Sequence, residues 1–338
     1  MRQVTIAQVA ERAGVSTATV SRALSGARPV SAKVSRKVRQ AAEELGYSVN
    51  PIARALRNSR TDTVGMVVPS ISNPFFTSLV ESVEHALGRT GKELFLCDAQ
   101  SDPEVEAKRL ASLVARNVDG IIVSPTHGTD SAPAVNETAA RLPLVQLDRF
   151  VGGTSTDWVG VDDLAAMRLV LDHLHATRAR SVAFVGSLLT NSSTEQRLAG
   201  FRRRAAELGL EFGDEHILLG DYSVVWGETA VARLIDADAL PDAIVCADDL
   251  IALGVTRACR ARGITVPDRV QVTGFDNIEF AGLSEPALTT VDQPRERIAA
   301  EAVRLLAASS GAEDRDATAH IALVPKLVVR ESTKQITS

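Results

Sequence analysis

The sequence predicts an α/β protein in two parts: a small all-helical head, followed by a larger body built on parallel sheets. Three observations carry that expectation. Two short amphipathic stretches meet at a glycine turn near the amino end, apolar runs alternate with amphipathic segments from Thr61 to Ser338, and charge divides between the two parts. Of the 338 residues, positions 1 to 60 hold eleven Lys and Arg against three Glu, a net of +8; the remainder carries −13, for a total of −5. A basic module displaces counterions from phosphates while an acidic body stays off them, so the division points to nucleic acid at one end.

The head reads as three helices. Ile6, Val9, Ala10 and Ala13 recur at helical spacing, Gly14 can take the left-handed conformation that ends a helix, and Ser16 can cap a second one from Thr17 to about Leu24. Val15, Val20 and Leu24 hold the pair together. Two such helices at a sharp turn make a helix-turn-helix, whose second helix enters the major groove with its first side chains at base edges. That makes Thr17, Ala18 and Arg22 the candidate base readers, with Ala18 limited to an apolar contact such as a thymine methyl. Thr5, Ser16, Ser21 and Asn50 are candidates to hold phosphates. The third helix has Ser31 as cap, an apolar stripe of Val34, Val38, Ala41 and Leu45, and Gly46 as stop.

Residues 50 to 60 form a separate feature. Asn50 can cap, Pro51 suits the first helical position, and Ile52, Ala53 and Leu56 share one face. So short a helix is unstable alone in water and needs its apolar face covered. Leu56 between Arg54 and Arg57 has the chemistry of a minor-groove wedge, although a basic linker with one exposed leucine fits the same residues.

In the body, Val64 to Pro69, Glu93 to Cys97, Gly120 to Val123 and Leu144 to Leu147 read as buried strands separated by helices near Phe75 to Leu87, Pro103 to Arg116 and Ala132 to Ala140. A second series begins at Trp158 to Val161 and continues through Ser181 to Val185, Ala243 to Cys246 and Val270 to Phe275, with helices near Leu164 to Leu174, Thr194 to Leu208, Val225 to Ile235 and Leu250 to Arg262. Continuous apolar strands alternating with helices imply parallel sheets covered on both faces, and two series imply two lobes. Such sheets bind ligands beyond the carboxyl ends of their strands. The polar residues that stop the runs are therefore the candidates: Asp98, Ser124, Asp148, Arg149, Asp248 and Asp276, with Phe75 and Phe76 at a strand-to-helix turn and Asn191, Ser193, Arg197 and Tyr222 in the second series. Carboxylates and arginines suit a ring of hydroxyls, and aromatic rings suit a sugar or base face. Each residue also has an ordinary structural role open to it, as a helix cap, an ion-pair partner or core.

Several classes are disfavoured. The six histidines show no metal spacing, and no metal or cofactor is expected. Cys97, Cys246 and Cys259 lie far apart in or beside apolar runs and read as buried thiols. Neither a signal region nor a membrane-spanning run is read, so a cytosolic location is expected. Walker and nucleophile-elbow motifs are missing, and the adjacent pairs Asp162-Asp163 and Asp248-Asp249 suit acid–base catalysis poorly, which argues against a sugar-acting enzyme.

The run Val15-Ser16-Thr17 to Val20-Ser21-Arg22, Glu44-Leu45-Gly46-Tyr47, Asn50-Pro51 with Ala53 and Leu56, and the closing Leu327 to Ser332 together resemble the LacI/GalR family of bacterial transcription regulators, over essentially the whole chain. The resemblance implies a head at 1–49, a hinge helix and linker at 50–60, and a periplasmic-binding-protein-like core at 61–338, with one lobe at about 61–160 plus 293–320 and the other at about 161–292 plus 321–338. It also implies a homodimer on double-stranded, near-palindromic operator DNA, with Leu56 in the minor groove. Positions matching Phe75, Phe76, Asp148, Arg149, Asn191, Ser193, Arg197, Tyr222 and Asp276 line the effector cleft in relatives. Asp248 departs from the pattern, since many relatives have Asn there. Arg149 after Asp148 is typical of sugar-responsive members, whereas purine-responsive ones carry an aromatic residue, so a sugar-like effector is expected, with a nucleoside or purine as the alternative.

Overall fold

A computed structural model of the chain describes residues 4–25, 30–47, 61–309 and 318–336. It separates into two compact units, Met1–Thr61 and Asp62–Ser338. The expected hinge, including Asn50, Ala53 and Leu56, lies outside the described residues.

The head consists of helices Ile6–Ala13, Thr17–Ser25 and Ala32–Leu45. Local chemistry sets their ends. The Gln8 side chain accepts the Thr5 backbone N–H at 2.9 Å, Ser16 Oγ accepts from Thr19 N at 3.2 Å, and Ser31 Oγ accepts from Val34 N at 3.4 Å. Gly14 and Gly46 stop the first and third helices at φ 62° and 63°. Val9, Ala13, Val20 and Val38 are fully buried, and Val15, Leu24, Leu45 and Tyr47 pack around them.

The body holds two six-stranded sheets. In the first, the order is β11 (His320–Leu323), β5 (Asp157–Val161), β4 (Leu144–Leu147), β3 (Gly120–Val123), β1 (Thr63–Val68), β2 (Glu93–Asp98), all parallel. In the second, it is β12 (Lys326–Val328), β10 (Thr289–Asp292), β9 (Gln271–Phe275), β8 (Ala243–Cys246), β6 (Val182–Ser187), β7 (Ile217–Gly220), with β12 antiparallel to β10. One expectation is corrected. Strand β5 pairs with β4 in the first sheet, within the first lobe's expected bounds of about 61–160, rather than opening the second series of strands, because an apolar run shows that a strand is buried but not which neighbour it pairs with. Strand β11 pairs with β5, so the first lobe's returning segment runs through residue 323.

The chain crosses between lobes after β5, after β10 and between β11 and β12. Helix Asp163–Ala176 packs on Ser192–Leu208 in the second lobe, whereas Arg295–Ser309 returns to pack on Pro74–Gly88 in the first. Fully buried Phe184, Phe201, Phe275, Met66 and Met167 are among the largest core side chains, each stabilising by roughly 1.5–3 kcal/mol. Gly227 and Gly254 let helices Val224–Asp236 and Asp249–Ala261 meet backbone to backbone, since a Cβ on either would strike the other helix's main chain. Cys246 and Cys259 are buried as expected, but Cys97 on edge strand β2 is only half-buried.

Candidate functional site

The head presents its candidate readers to solvent. Thr5, Ser16, Thr17, Ala18 and Arg22 are exposed, and Ser21 is half-buried. Arg22 Nε donates to Ala18 O at 3.2 Å, which ties the guanidinium base to the recognition helix. Ser16, Thr17, Ala18 and Arg22 on the second helix and the turn before it, with Thr5 at the start of the first helix, are exposed side chains that can meet a groove without altering the core beneath them.

The body's candidate site lies where strand order reverses in each sheet, between β1 and β3 and between β6 and β8, the expected place for ligands in open α/β sheets. A cavity of ≈ 630 Å³ opens there, lined by Ser70, Phe76, Thr126 and Arg149 from one lobe and Ser187, Leu188, Asn191 and Tyr222 from the other. Beside it lies an inner recess of ≈ 10 Å³ lined by Phe75, Phe76, Asp148, Arg149, Ser193, Arg197, Tyr222 and Asp276. Asn73 caps helix Pro74–Gly88 by accepting from Phe75 N at 3.0 Å, which fixes Phe75 and Phe76 in the first turn with their rings edge-on at 5.2 Å. Asn191 caps Ser192–Leu208 by accepting from Thr194 N at 3.1 Å and so aims Ser193 and Arg197 inward. Tyr222 Oη and Thr194 Oγ1 share a 2.6 Å hydrogen bond.

Two arginines organise the charges. Arg197 donates from Nε to Asp163 Oδ1 at 2.8 Å and from Nη1 to Ala247 O at 2.7 Å, with its guanidinium 3.5 Å from the Phe275 ring centroid. Arg149 lies between two aromatic rings from different lobes, 5.3 Å from Phe76 and 5.2 Å from Tyr222. Around them are Asp148, Asp163, Asp248 and Asp276, all buried. Burial pushes Asp163 and Asp248 up to about 6, with Arg197 opposing in both. Asp148 is raised, and Asp276 well above the ordinary range, by the same loss of solvent. Burial works against the Arg197 cation too, but Asp163 first and then Asp276 outweigh it and raise its pKa.

The buried atoms Asp148 Oδ1, Arg149 Nε, Ser193 Oγ, Ser124 Oγ and Asp248 Oδ2 have no hydrogen-bond partner among the described residues. An unpartnered buried group costs about 1–3 kcal/mol, which a polar ligand would recover. Asp148 and Asp276 also sit at positive φ, 62° and 104°, a conformation that L residues rarely adopt and that clusters at ligand sites.

Three of the twelve candidates fall elsewhere. The Asp98 carboxylate, at the end of edge strand β2, accepts from Gln100 N at 3.0 Å and lines neither cavity. Ser124 and Asp248 are buried but do not line the cavity wall, and Asp248 caps Asp249–Ala261 through Ile251 N at 2.8 Å. Asp163 and Gln293 join the site unforeseen. Gln293, on a crossover between lobes, donates to Asp276 Oδ1 at 2.7 Å. Asp163 was legible only as half of an acidic pair. The two pairs divide their labour: Asp162 caps a helix and Asp163 holds Arg197, while Asp248 caps and Asp249 accepts from Thr290 and from Ile278 N.

Comparisons with known proteins agree with this fold. The family model for bacterial regulatory proteins of the lacI family matches residues 5–50, and that for a periplasmic binding protein-like domain matches 171–333. The HTH-type transcriptional repressor PurR of Pasteurella multocida (strain Pm70) is 32% identical over 334 residues, covering 98% of each chain. The lac repressor dimer bound to operator and the anti-inducer ONPF superposes with a TM-score of 0.88 at 26% identity, over 98% of this chain and 99% of that one. The transcriptional regulator CelR–cellobiose complex superposes with a TM-score of 0.73 at 31% identity, over 98% and 100%.

Proposed function

The chain belongs to the LacI family of bacterial regulatory proteins, and from that premise we propose a repressor that binds a near-palindromic operator as a homodimer under the control of a sugar held in the body's cleft. Thr17, Ala18 and Arg22 read bases, with Arg22 carrying most of the discrimination, and Thr5, Ser16 and Ser21 hold phosphates. Exposed apolar side chains on the body, Phe95 and Leu96 on edge strand β2 and Phe280 and Leu283 on helix Glu279–Leu283, supply surface for pairing with a second copy. The cytoplasm, where the chromosome is, is its place of work. Among the described residues no helix is long and apolar enough to cross a membrane.

One observation carries the effector class. The Arg149 guanidinium lies within 5.3 Å of the Phe76 ring and 5.2 Å of the Tyr222 ring, so it covers aromatic surface that a flat base could use and offers forked donors to hydroxyls. Asp148, Ser193 and Asp276 add further polar groups around the recess. The similarity to the PurR repressor favours a purine as the second reading.

The test takes the full chain and an operator selected from randomised DNA. Monosaccharides and the purine bases hypoxanthine and guanine are screened for a rise in melting temperature, since a ligand that binds only the folded state raises it. A sugar that raises it and changes operator affinity supports the reading. A response to a purine base alone contradicts it.

A further inference from the structure

Two hydrogen bonds run directly from loops of the first lobe to the second, and we propose that they form a clasp that opens and closes as one unit and through which the effector acts. Gly128 N donates to Thr190 O at 2.7 Å, and Phe150 N donates to Ser192 Oγ at 3.0 Å. The donors lie on the loops after β3 and β4, whereas both acceptors lie on one short segment after β6, at the start of helix Ser192–Leu208. Both bonds run from protein to protein, so neither needs a ligand to form. The inference does not depend on the effector being a sugar.

Buried polar side chains fix each part of the clasp in advance. Glu106, fully buried in the first turn of helix Pro103–Ala115, accepts from Thr126 N at 2.7 Å, and Ser131 Oγ accepts from His127 N at 3.1 Å. Together they set the turn that carries Gly128. A buried carboxylate is costly to keep, and Glu106 lines neither cavity; holding this loop is the task its position gives it. Gln146, also fully buried, accepts from Val151 N at 2.7 Å and donates to Thr156 Oγ1 at 2.7 Å, which sets the turn that carries Phe150. Asn191 stands between the two acceptors and holds their segment by capping the helix through Thr194 N. Donors and acceptors fixed in this way lose little freedom when they meet.

The clasp and the cleft share one stretch of chain. Thr190 and Asn191 line the larger cavity and Ser193 lines the recess, so a ligand that touches them bears on the segment that holds the lobes together. Such a ligand binds the closed and open bodies unequally, which is what control requires. If the lobes part as units, one opening releases both amides, and their hydrogen exchange reports a single equilibrium.

Residue-resolved amide exchange on the ligand-free full chain tests this. Ser192→Ala removes the acceptor for Phe150 and leaves the Gly128 bond untouched, so the Gly128 amide is the reporter. It should exchange about fivefold faster, a loss of about 1 kcal/mol for one hydrogen bond. Glu106→Ala should have a like effect on the Phe150 amide, and Glu106→Gln, which keeps an oxygen for Thr126 N, should restore wild-type exchange. The affinity of ligand-free Ser192→Ala for an operator selected from randomised DNA should shift by at least about threefold, and that of Glu106→Gln should not. A Gly128 amide that ignores Ser192→Ala shows two independent contacts and overturns the clasp, even where Glu106→Ala fails to fold. Faster exchange with unchanged operator affinity overturns its part in control. The exchange measurements use neither operator nor sugar, so their outcome is separate from that of the function proposed above.

Discussion

The head and the body place their functional side chains in opposite ways. In the head, three helices of 8, 9 and 14 residues close over a core of valines and alanines, and the side chains proposed to read bases, Thr17, Ala18 and Arg22, stand in solvent on the second helix. In the body, most of the groups around the recess are buried, several are ionisable, and they hold one another in place across two lobes. Recognition by an exposed surface can therefore change without disturbing the fold beneath it. Recognition by a buried charge network is bound up with stability, so the same side chains that would contact a ligand also hold the lobes.

Substitutions that expose this contrast should have unequal effects. Arg197→Ala should act most strongly, because it strands Asp163, Asp148 and Asp276 without their cation. Breaking a buried pair from one side costs about 3–5 kcal/mol, which urea unfolding of the body would report as a lowered midpoint. A loss below about 1 kcal/mol would mean the network contributes little. Because Arg197 supports the fold, its removal is a poor probe of ligand response.

Arg22→Ala should be next, with a different signature. The discrimination between selected operator and random DNA, measured at fixed salt, should fall by about 1–3 kcal/mol, while the unfolding midpoint should not move. A midpoint shift would show that the exposed arginine is structural after all.

Asp248→Asn tests the burial of charge directly. Burial raises this carboxyl from 3.8 to about 6, so the folded chain holds its proton more tightly than the unfolded chain. The group's contribution to stability is then full below pH 3.8 and is lost as pH rises through about 6. Asparagine keeps an oxygen for the Ile251 N–H and carries no charge at any pH. It should therefore stabilise the chain by on the order of 1–2 kcal/mol at pH 8 and by little at pH 4. Equal effects at the two pH values would contradict a buried, raised carboxyl. The smallest effect belongs to the head's surface: Thr17→Ala should shift stability by less than about 0.5 kcal/mol.

The same contrast explains what the sequence made legible. The head's caps, glycine stops and apolar stripes are local signals, and helices Ile6–Ala13 and Ala32–Leu45 lie where those signals put them. Strands that are buried throughout, such as β3 and β4, showed as apolar runs with the observed ends. Strands β11 and β12 were not read, because short apolar runs whose positions are mostly exposed or half-buried do not distinguish an edge strand from a loop, and Gln293 escaped because its bond to Asp276 joins distant segments. Pairing is also a non-local fact, which is why the run Trp158 to Val161 read as the start of the second series although β5 pairs with β4. In the cleft, strand-end polar residues were a sound guide to Asp148 and Asp276 but not to Asp98, where a turn consumed the carboxylate. Asp163 escaped because its meaning depends on Arg197, thirty-four positions away.

The central claim is that occupancy of the cleft changes the grip of the head on DNA. The most direct measurement is operator affinity of the full-length chain, at one salt concentration, with and without a saturating amount of the sugar that raises its melting temperature. A coupling of at least about 1.4 kcal/mol predicts a change of tenfold or more. Identical affinities with the cleft demonstrably filled would contradict it.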